Sequence, residues 1–464
     1  MAAPSESSSL LRPAGEAEAG RLSRDWWFFS AVFSVQHGTM VASIAFSSSI
    51  VGKECAGLGS ATMYAAFGLS AIFLATELVQ RLGAKSVLIG GMAGISLYNA
   101  CSLAAGLLQD AGNEGAESAM MVVGGLVGGL ATGPLWTAQG SFFARMSEAY
   151  GGVASLPSKE ATGLLAGRFA LVYLGVEALI KLSCSAVTWN ASVSFDADVL
   201  LLAMLVVFGL LATVLGCFIQ PAPPSPAATA GAGAAGGGGG RMMAAVRLMA
   251  NEPAIVLLSP INLNMGLMGA LGSNVLNRAL ASEVLGTRSV GLLTSVSVAM
   301  AAAISLPLSS YFAGRKPLAM LLDAGVRQLW LILAAVLMHR LQSEDAQGVV
   351  QGESAAWWLI LILLYSLIGV NRGLYESVSK ALVADLFPGN EEAAFANGVL
   401  QQAAAGAFGF FVFSRTPALV GIGVCSVLSS LQMPAVLWAA DMQGRLLAAR
   451  ALASDAATSS AKAA

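Results

Sequence analysis

Charge is scarce in this chain. Only 11% of its residues are Asp, Glu, Lys or Arg, and the net charge of -2 comes with no basic stripe, which excludes a nucleic-acid partner. Cysteine is scarce as well. Cys55, Cys101, Cys184, Cys217 and Cys425 make no CxxC pair and no Cys/His cluster, so no metal site is expected. Free thiols are favoured over a disulfide between Cys55 and Cys184. A Ser/His/Asp constellation is missing, and so is a Gly-x-x-x-x-Gly-Lys-[ST] phosphate loop. Neither an enzyme nor a cofactor is therefore expected. The first residues carry Glu6, Glu16, Glu18 and Asp25, with no short apolar stretch before a small-residue cleavage site. A secretory signal or an organellar transit segment is not expected there; the first apolar span is expected to act as an uncleaved anchor.

What the chain has is apolar length. Its 464 residues are 56% hydrophobic with 52 glycines, and membrane helices tolerate glycine better than helices in water. About a dozen stretches approach the roughly 20 apolar residues that a helix needs to cross a hydrocarbon core of about 30 Å. They are expected near 26–50, 58–80, 84–108, 119–146, 161–189 and 197–219, then near 252–277, 289–312, 317–340, 355–381, 391–414 and 416–440. A Pro-rich and Gly-rich segment, with Pro221, Pro223, Pro224 and Pro226 before an Ala/Gly tract, separates the two sets and reads as a flexible linker over 220–241. The expected organisation is a disordered tail over 1–25, a six-helix half over 26–219, the linker, a second six-helix half over 242–440 and a loose tail over 441–464. The fold class is an all-α membrane protein, with the lipid bilayer as its first partner.

Lys and Arg crowd the loops on one side: Arg81, Lys85, Arg145, Arg247, Arg315, Lys316 and Arg445 among them. Lys53, Arg278, Arg288, Arg340 and Arg415 fall on the other. The positive-inside tendency then places both termini in the cytosol and the sequon Asn190-Ala191-Ser192 outside. The string Glu6-Ser7-Ser8-Ser9-Leu10-Leu11 fits an acidic dileucine sorting signal, so the destination is the plasma membrane or an endosomal or vacuolar membrane. The loops after the second and eighth spans, Arg81-Leu82-Gly83-Ala84-Lys85 and Gly314-Arg315-Lys316, pair glycine with cations at matching places in the two halves. They read as cytoplasmic gate loops, or as tight turns with positive-inside bias alone. Repetition at matching positions points to parallel repeats, as in the major facilitator superfamily.

Three further segments carry a narrower resemblance. Leu135-Trp136-Thr137-Ala138-Gln139-Gly140-Ser141 is similar to a Trp-x-Ala-Gln-Gly motif. Glu392-Ala393-Ala394-Phe395-Ala396-Asn397 is similar to a motif that opens an apolar helix. Gln80-Arg81-Leu82-Gly83-Ala84-Lys85 resembles a Lys-Arg-Leu-Gly-Cys-Lys turn. All three resemble the Unc-ninety-three-like branch of that superfamily, named for a regulator of a potassium channel, and 163–183 shares its spacing of small and aromatic residues. The resemblance implies two rounded halves about a central cavity lined by spans one, four, seven and ten. It also implies one of two roles. The first is transport of a small solute or ion by alternating access. The second is a non-transporting accessory role toward an ion channel, in potassium homeostasis, or toward a trafficked receptor. The tenth span departs from the branch: Arg372, Glu376, Val378 and Lys380 stand where an acid, two glutamines and an asparagine are expected.

Ionisable groups at membrane depth are expensive and are functional candidates by default. Counting inward from Trp357 at about 1.5 Å per residue puts Arg372 roughly 22 Å deep. Arg372, Glu376 and Lys380 stand at i, i+4 and i+8 on one α-helical face. They form either a charged relay facing a cavity or a structural ion-pair row. Glu177 and Lys181 are one turn apart and read as a satisfied pair; Glu177 with Tyr173 is alternatively a cavity group and proton carrier. Asp323 and Arg327 read as a structural pair on a peripheral helix. Gln36, His37, Trp136, Gln139, Asn264 and Tyr375 complete the expected solute or ion pathway. The run containing Gly124, Gly125, Gly128 and Gly129 reads as close helix packing.

Overall fold

The computed structural model describes residues 7–156, 158–190, 197–221, 223, 247–312, 315–346, 355–379, 382–383, 386–387 and 391–463. Among them the chain is 93% helical and has no strand. The first half runs α1 (Ser7–Ile50), α2 (Lys53–Phe73), α3 (Ala75–Leu82), α4 (Ala84–Asp110), α5 (Glu114–Ala154), α6 (Ser158–Asn190) and α7 (Ala197–Gly216). The second runs α8 (Pro253–Leu257), α9 (Ser259–Ala270), a π-helical segment (Leu271–Ser282), one closing turn (Glu283–Leu285), α10 (Arg288–Tyr311), α11 (Lys316–Ala346), α12 (Ala355–Leu374) continued by a π-helical turn (Tyr375–Ser379), α13 (Glu391–Phe413) and α14 (Ala418–Ala463).

Among the described residues, eleven spans are long and apolar enough to cross a membrane. α13, at 23 residues, is long enough to be the twelfth; Asn397, Gln401 and Gln402 dilute its apolarity. Large apolar side chains stay on the outside of the bundle, Leu179, Val207, Phe218, Ile332 and Leu359 among them. In water such a belt would be a liability, whereas in lipid it is the expected outer face.

Two expectations are corrected at the tails. The residues expected to be disordered up to 25 are helical from Ser7, and those expected to be loose after Asp441 continue α14 to Ala463. Both are rich in Ala, Leu, Glu and Arg, which favour helix. Arg21 also pairs with Glu18 and Asp25, and Arg445 with Asp441, at helical spacing. Most of the linker, together with Glu6, Gly314, Lys380 and the last two residues of the sequon, lies outside the described residues.

Glycine brings α5 against two neighbours at once. A Cβ at Gly125 or Gly129 would stand 2.2 Å from the Gly59 or Met63 carbonyl oxygen of α2, and one at Gly124 or Gly128 would press on Cys101 or Tyr98 of α4. Gly129→Ala is therefore expected to cost about 1–3 kcal/mol, as overpacking does. At Gly140 of the same helix no atom lies within 4 Å, and Gly140→Ala is expected to be neutral. Thermal unfolding of both variants in detergent checks this; equal melting temperatures would mean that the α2 and α5 backbones do not touch.

The halves meet chiefly where α6 packs on α10 and α2 on α13. At the end of the bundle away from the termini their contact is dense. Ser48 donates to the Ser273 carbonyl at 2.6 Å, Asn277 to Ala45 at 3.0 Å, Arg278 to Ser48 at 2.8 Å and Lys53 to Thr416 at 2.9 Å. Ser185 donates to the Arg288 carbonyl, and Ser295 to that of Ala178 at 3.0 Å. One apolar core, including Phe46, Val51, Leu271, Leu293 and Phe410, is shared by both halves there. At the terminus-bearing end the second half closes a separate core of its own around Ile255, Phe312, Met320, Leu374 and Phe387.

Candidate functional site: an ion triad between the halves

α6 and α12 face each other across the middle of the molecule. Phe169, Tyr173, Glu177 and Lys181 succeed one another every fourth residue on α6, which lines them along one stripe. Arg372, near the end of α12, closes on that stripe with a bidentate pair. Its Nη1 and Nη2 donate to Glu177 Oε1 and Oε2 at 2.7 and 2.6 Å. Lys181 Nζ donates to the same Oε1 at 2.7 Å. The two planar groups match, which makes this the strong geometry for an ion pair. Glu177 is 1% exposed and Arg372 20%, so the arginine is the accessible member.

The expected row on one helix is therefore corrected. Arg372 does not find its acid one turn away but 195 residues back in the chain. The π-helical turn over Tyr375–Ser379 widens the helix after Leu374, which shifts Glu376 from its α-helical place relative to Arg372. Glu376 remains near enough for its charge to act on Arg372 and on His37. The expected Glu177–Lys181 pair is present, but as two corners of a triad.

His37 of α1 lies beside the triad, 6% exposed, within range of the charges of Glu177, Arg372 and Lys181. The Tyr173 hydroxyl and His37 Nε2 are 2.6 Å apart. Trp136 of α5 stands edge-on to both rings, at 5.4 Å from His37 and 6.1 Å from Tyr173. Phe33 and Phe169 continue the aromatic group at 5.1 Å from Trp136 and 5.6 Å from Tyr173. His37 Nδ1 and Arg372 Nε are buried with no hydrogen-bond partner.

Four of the expected pathway residues stand apart from the triad. Gln36 is fully buried in the core of the first half, donating to Ser96 at 3.3 Å and accepting from Thr213 at 3.5 Å. It precedes His37 in the chain and so points to a different side of α1. Asn264 is fully buried between α9 and α14, where it donates to Gln432 at 3.1 Å. Tyr375 sits with a separate polar set of the second half, its hydroxyl 3.4 Å from Asn262 Oδ1 and from Gln402 Oε1. Gln139 is half-buried one turn beyond Trp136 and holds none of these partners.

The first gate loop is a tight turn. Gly83 takes φ 79°, a conformation open to glycine at little cost. Arg81 pairs with Glu77 at the surface. Gly83 and Lys85 line a 160 Å³ recess with Leu82, Ala84, Arg145 and Pro221. In the second gate loop Arg315 is exposed and Lys316 half-buried.

Two features escaped the sequence reading. Tyr64 of α2 packs flat on Gly406 and Phe410 of α13, where the charges of Arg372 and Glu177 still reach it. Its position in a half-apolar helix carried no signal. The second is a buried network in the second half. Asp323 accepts from Arg327 at 2.5 Å, Gln432 at 2.9 Å and Asn371 at 2.9 Å. Gln432 accepts from Arg327 at 2.7 Å, and Trp330 donates to Asn371 at 2.5 Å. Asp323 and Arg327 are thus the centre of a packed core network rather than a peripheral pair.

No protein-family model matches the chain, and no curated protein matches it. Solved structures do. The inward-open xylose transporter XylE from E. coli matches with 13% identity over 89% of this chain and 95% of its own, at a TM-score of 0.61. The nucleoside transporter NupG matches with 13% identity over 89% and 98%, at 0.59. An auto-inhibited POT-family peptide transporter matches with 11% identity over 92% and 97%, at 0.60. At such identities the likeness speaks for architecture, and the architecture of this chain is the major facilitator fold.

Proposed function

We propose that this chain moves a small solute or ion across a membrane by alternating access, with the site at the Glu177–Arg372 contact. One observation carries the reading: the halves share a core at one end, the second half closes a core of its own at the other, and between these ends the halves are joined by an ion pair whose arginine is half-buried. Two rigid halves that pivot about a central site would have this asymmetry. The Lys and Arg excess around Arg81, Lys85, Arg145, Arg315 and Lys316 supports a cytosolic setting for the terminus-bearing end. The plasma membrane or an endosomal or vacuolar membrane is the proposed location.

Spin labels test the pivot. On a cysteine-free background, Ser86 with Arg315 reports the terminus-bearing end and Gln109 with Glu283 the other; all four residues are exposed. In liposomes each pair is expected to give two distance populations that change in opposite directions when a solute is added. A single fixed distance at both ends would remove alternating access. It would leave the role implied by the Unc-ninety-three-like motifs at Trp136 and Asn397, an accessory subunit of an ion channel or a trafficked receptor.

A further inference from the structure

We infer that the central site takes a planar aromatic carboxylate. The inference rests on the transport reading only for its biological use; the binding chemistry follows from the site itself. Arg372 and Lys181 bring two positive charges to the carboxylate of Glu177, and Glu376 adds a second negative charge nearby. What the site has in excess is donors. With both Nη groups engaged, Arg372 Nε is buried and unpartnered, and Lys181 uses one of its three N–H groups on Glu177. Glu376, one turn on, acts on Arg372 by charge and still leaves that Nε without an acceptor. His37, more than nine-tenths buried, holds a second unpartnered nitrogen at Nδ1. Buried polar atoms in folded proteins are completed by protein, water or a bound group, and two such nitrogens here lie beside one ion pair.

The remaining wall is aromatic. Trp136, Phe169 and Tyr173 are half-buried, although Phe169 and Tyr173 share the α6 stripe that faces Arg372. Part of the ring surface on that stripe is left uncovered. A flat carboxylate fits both features. Its two oxygens would replace those of Glu177 on the guanidinium in the same bidentate geometry. Its ring would lie against Trp136 and Tyr173 at the 4.5–7 Å spacing typical of aromatic pairs. Glu177 is then an internal competitor, a carboxylate of the protein that occupies the arginine until a solute carboxylate displaces it.

Benzoate is the probe, with benzamide (ring without charge) and acetate (charge without ring) beside it, on the full-length protein in detergent. Binding is read as quenching of tryptophan fluorescence and as a rise in melting temperature. Benzoate is expected to bind saturably and the other two at least about tenfold more weakly. Glu177→Gln is expected to tighten benzoate about tenfold or more by removing the competitor, and His37→Phe and Trp136→Leu to weaken it. A purely structural triad gives the reverse for Glu177→Gln: no gain in affinity. Benzoate that binds no better than benzamide overturns the inference, as does unchanged affinity in a folded Glu177→Gln. If that variant does not fold, the benzoate-to-benzamide ratio of the unaltered protein and its loss in His37→Phe decide. No carboxylate binding while the spin-label distances still swing sinks the inference and spares transport. Binding with fixed distances upholds the anion site and sinks transport.

Discussion

Glu177→Ala is expected to destabilise the protein by about 3–5 kcal/mol, the range for removing one member of a buried ion pair. Arg372→Ala is expected to leave it folded and inactive. The asymmetry follows from the number of partners. Glu177 is the shared acceptor of Arg372 and Lys181, so its loss strands two cations in a low-dielectric interior. Losing Arg372 leaves Glu177 still bonded to Lys181 at 2.7 Å, and the site keeps a neutral pair. Some stability goes with the bidentate contact, about 1.5–3 kcal/mol for hydrogen bonds to charged groups. Unfolding in detergent ranks the two variants, and uptake into liposomes reads activity. Equal destabilisation by both would mark the triad as a structural fastening and end its candidacy as a solute site.

The second large effect is expected at Asp323. Alanine there removes an acceptor from Arg327, Gln432 and Asn371 together and leaves a guanidinium that is 2% exposed without its acid. The expected loss is again about 3–5 kcal/mol. It should appear as lost folded protein rather than as altered solute affinity, since this network sits inside the second half. Asp323→Asn keeps the shape and most acceptor capacity and is expected to lose less. Asp441 pairs with Arg445 at an exposed position, and Asp441→Ala is expected to leave the unfolding midpoint unchanged. A folded Asp323→Ala with a normal midpoint would mean that Arg327 is neutralised by another group.

The spans and the two halves were legible because a helix that crosses lipid needs a set length of apolar sequence, whatever its neighbours are. The site was legible in part for a similar reason. Arg372, Glu177 and His37 stand out because charge and imidazole are rare at that depth. What sequence could not supply was direction. Gln36 and His37 are adjacent, and each has polar chemistry; only packing against α4 and α7 turns the first inward to Ser96 and leaves the second for Tyr173. Asn264 reads as a pathway group because it is polar in a span, yet a buried amide also bonds to its neighbours, as its Nδ2 does to Gln432. The step from Arg372 to Glu376 is a different case. Its α-helical spacing presumes an uninterrupted helix, and the π-helical turn over Tyr375–Ser379 leaves no mark in hydropathy.

The fastening between the halves at the end away from the termini has a consequence for how this chain can change over generations. Ser48, Lys53, Ser185, Asn277, Arg278 and Ser295 each reach across to a main-chain carbonyl. A carbonyl is present whichever residue supplies it. The accepting positions, such as Ala45, Ala178 and Ser273, can therefore change identity without loss of the hydrogen bond, within the room that packing leaves, and no compensating replacement is demanded of the donor. The Glu177–Arg372 contact is the opposite case, because each partner constrains the other. Paired substitution should leave its trace at the centre of the molecule, while the sealed end diverges one residue at a time.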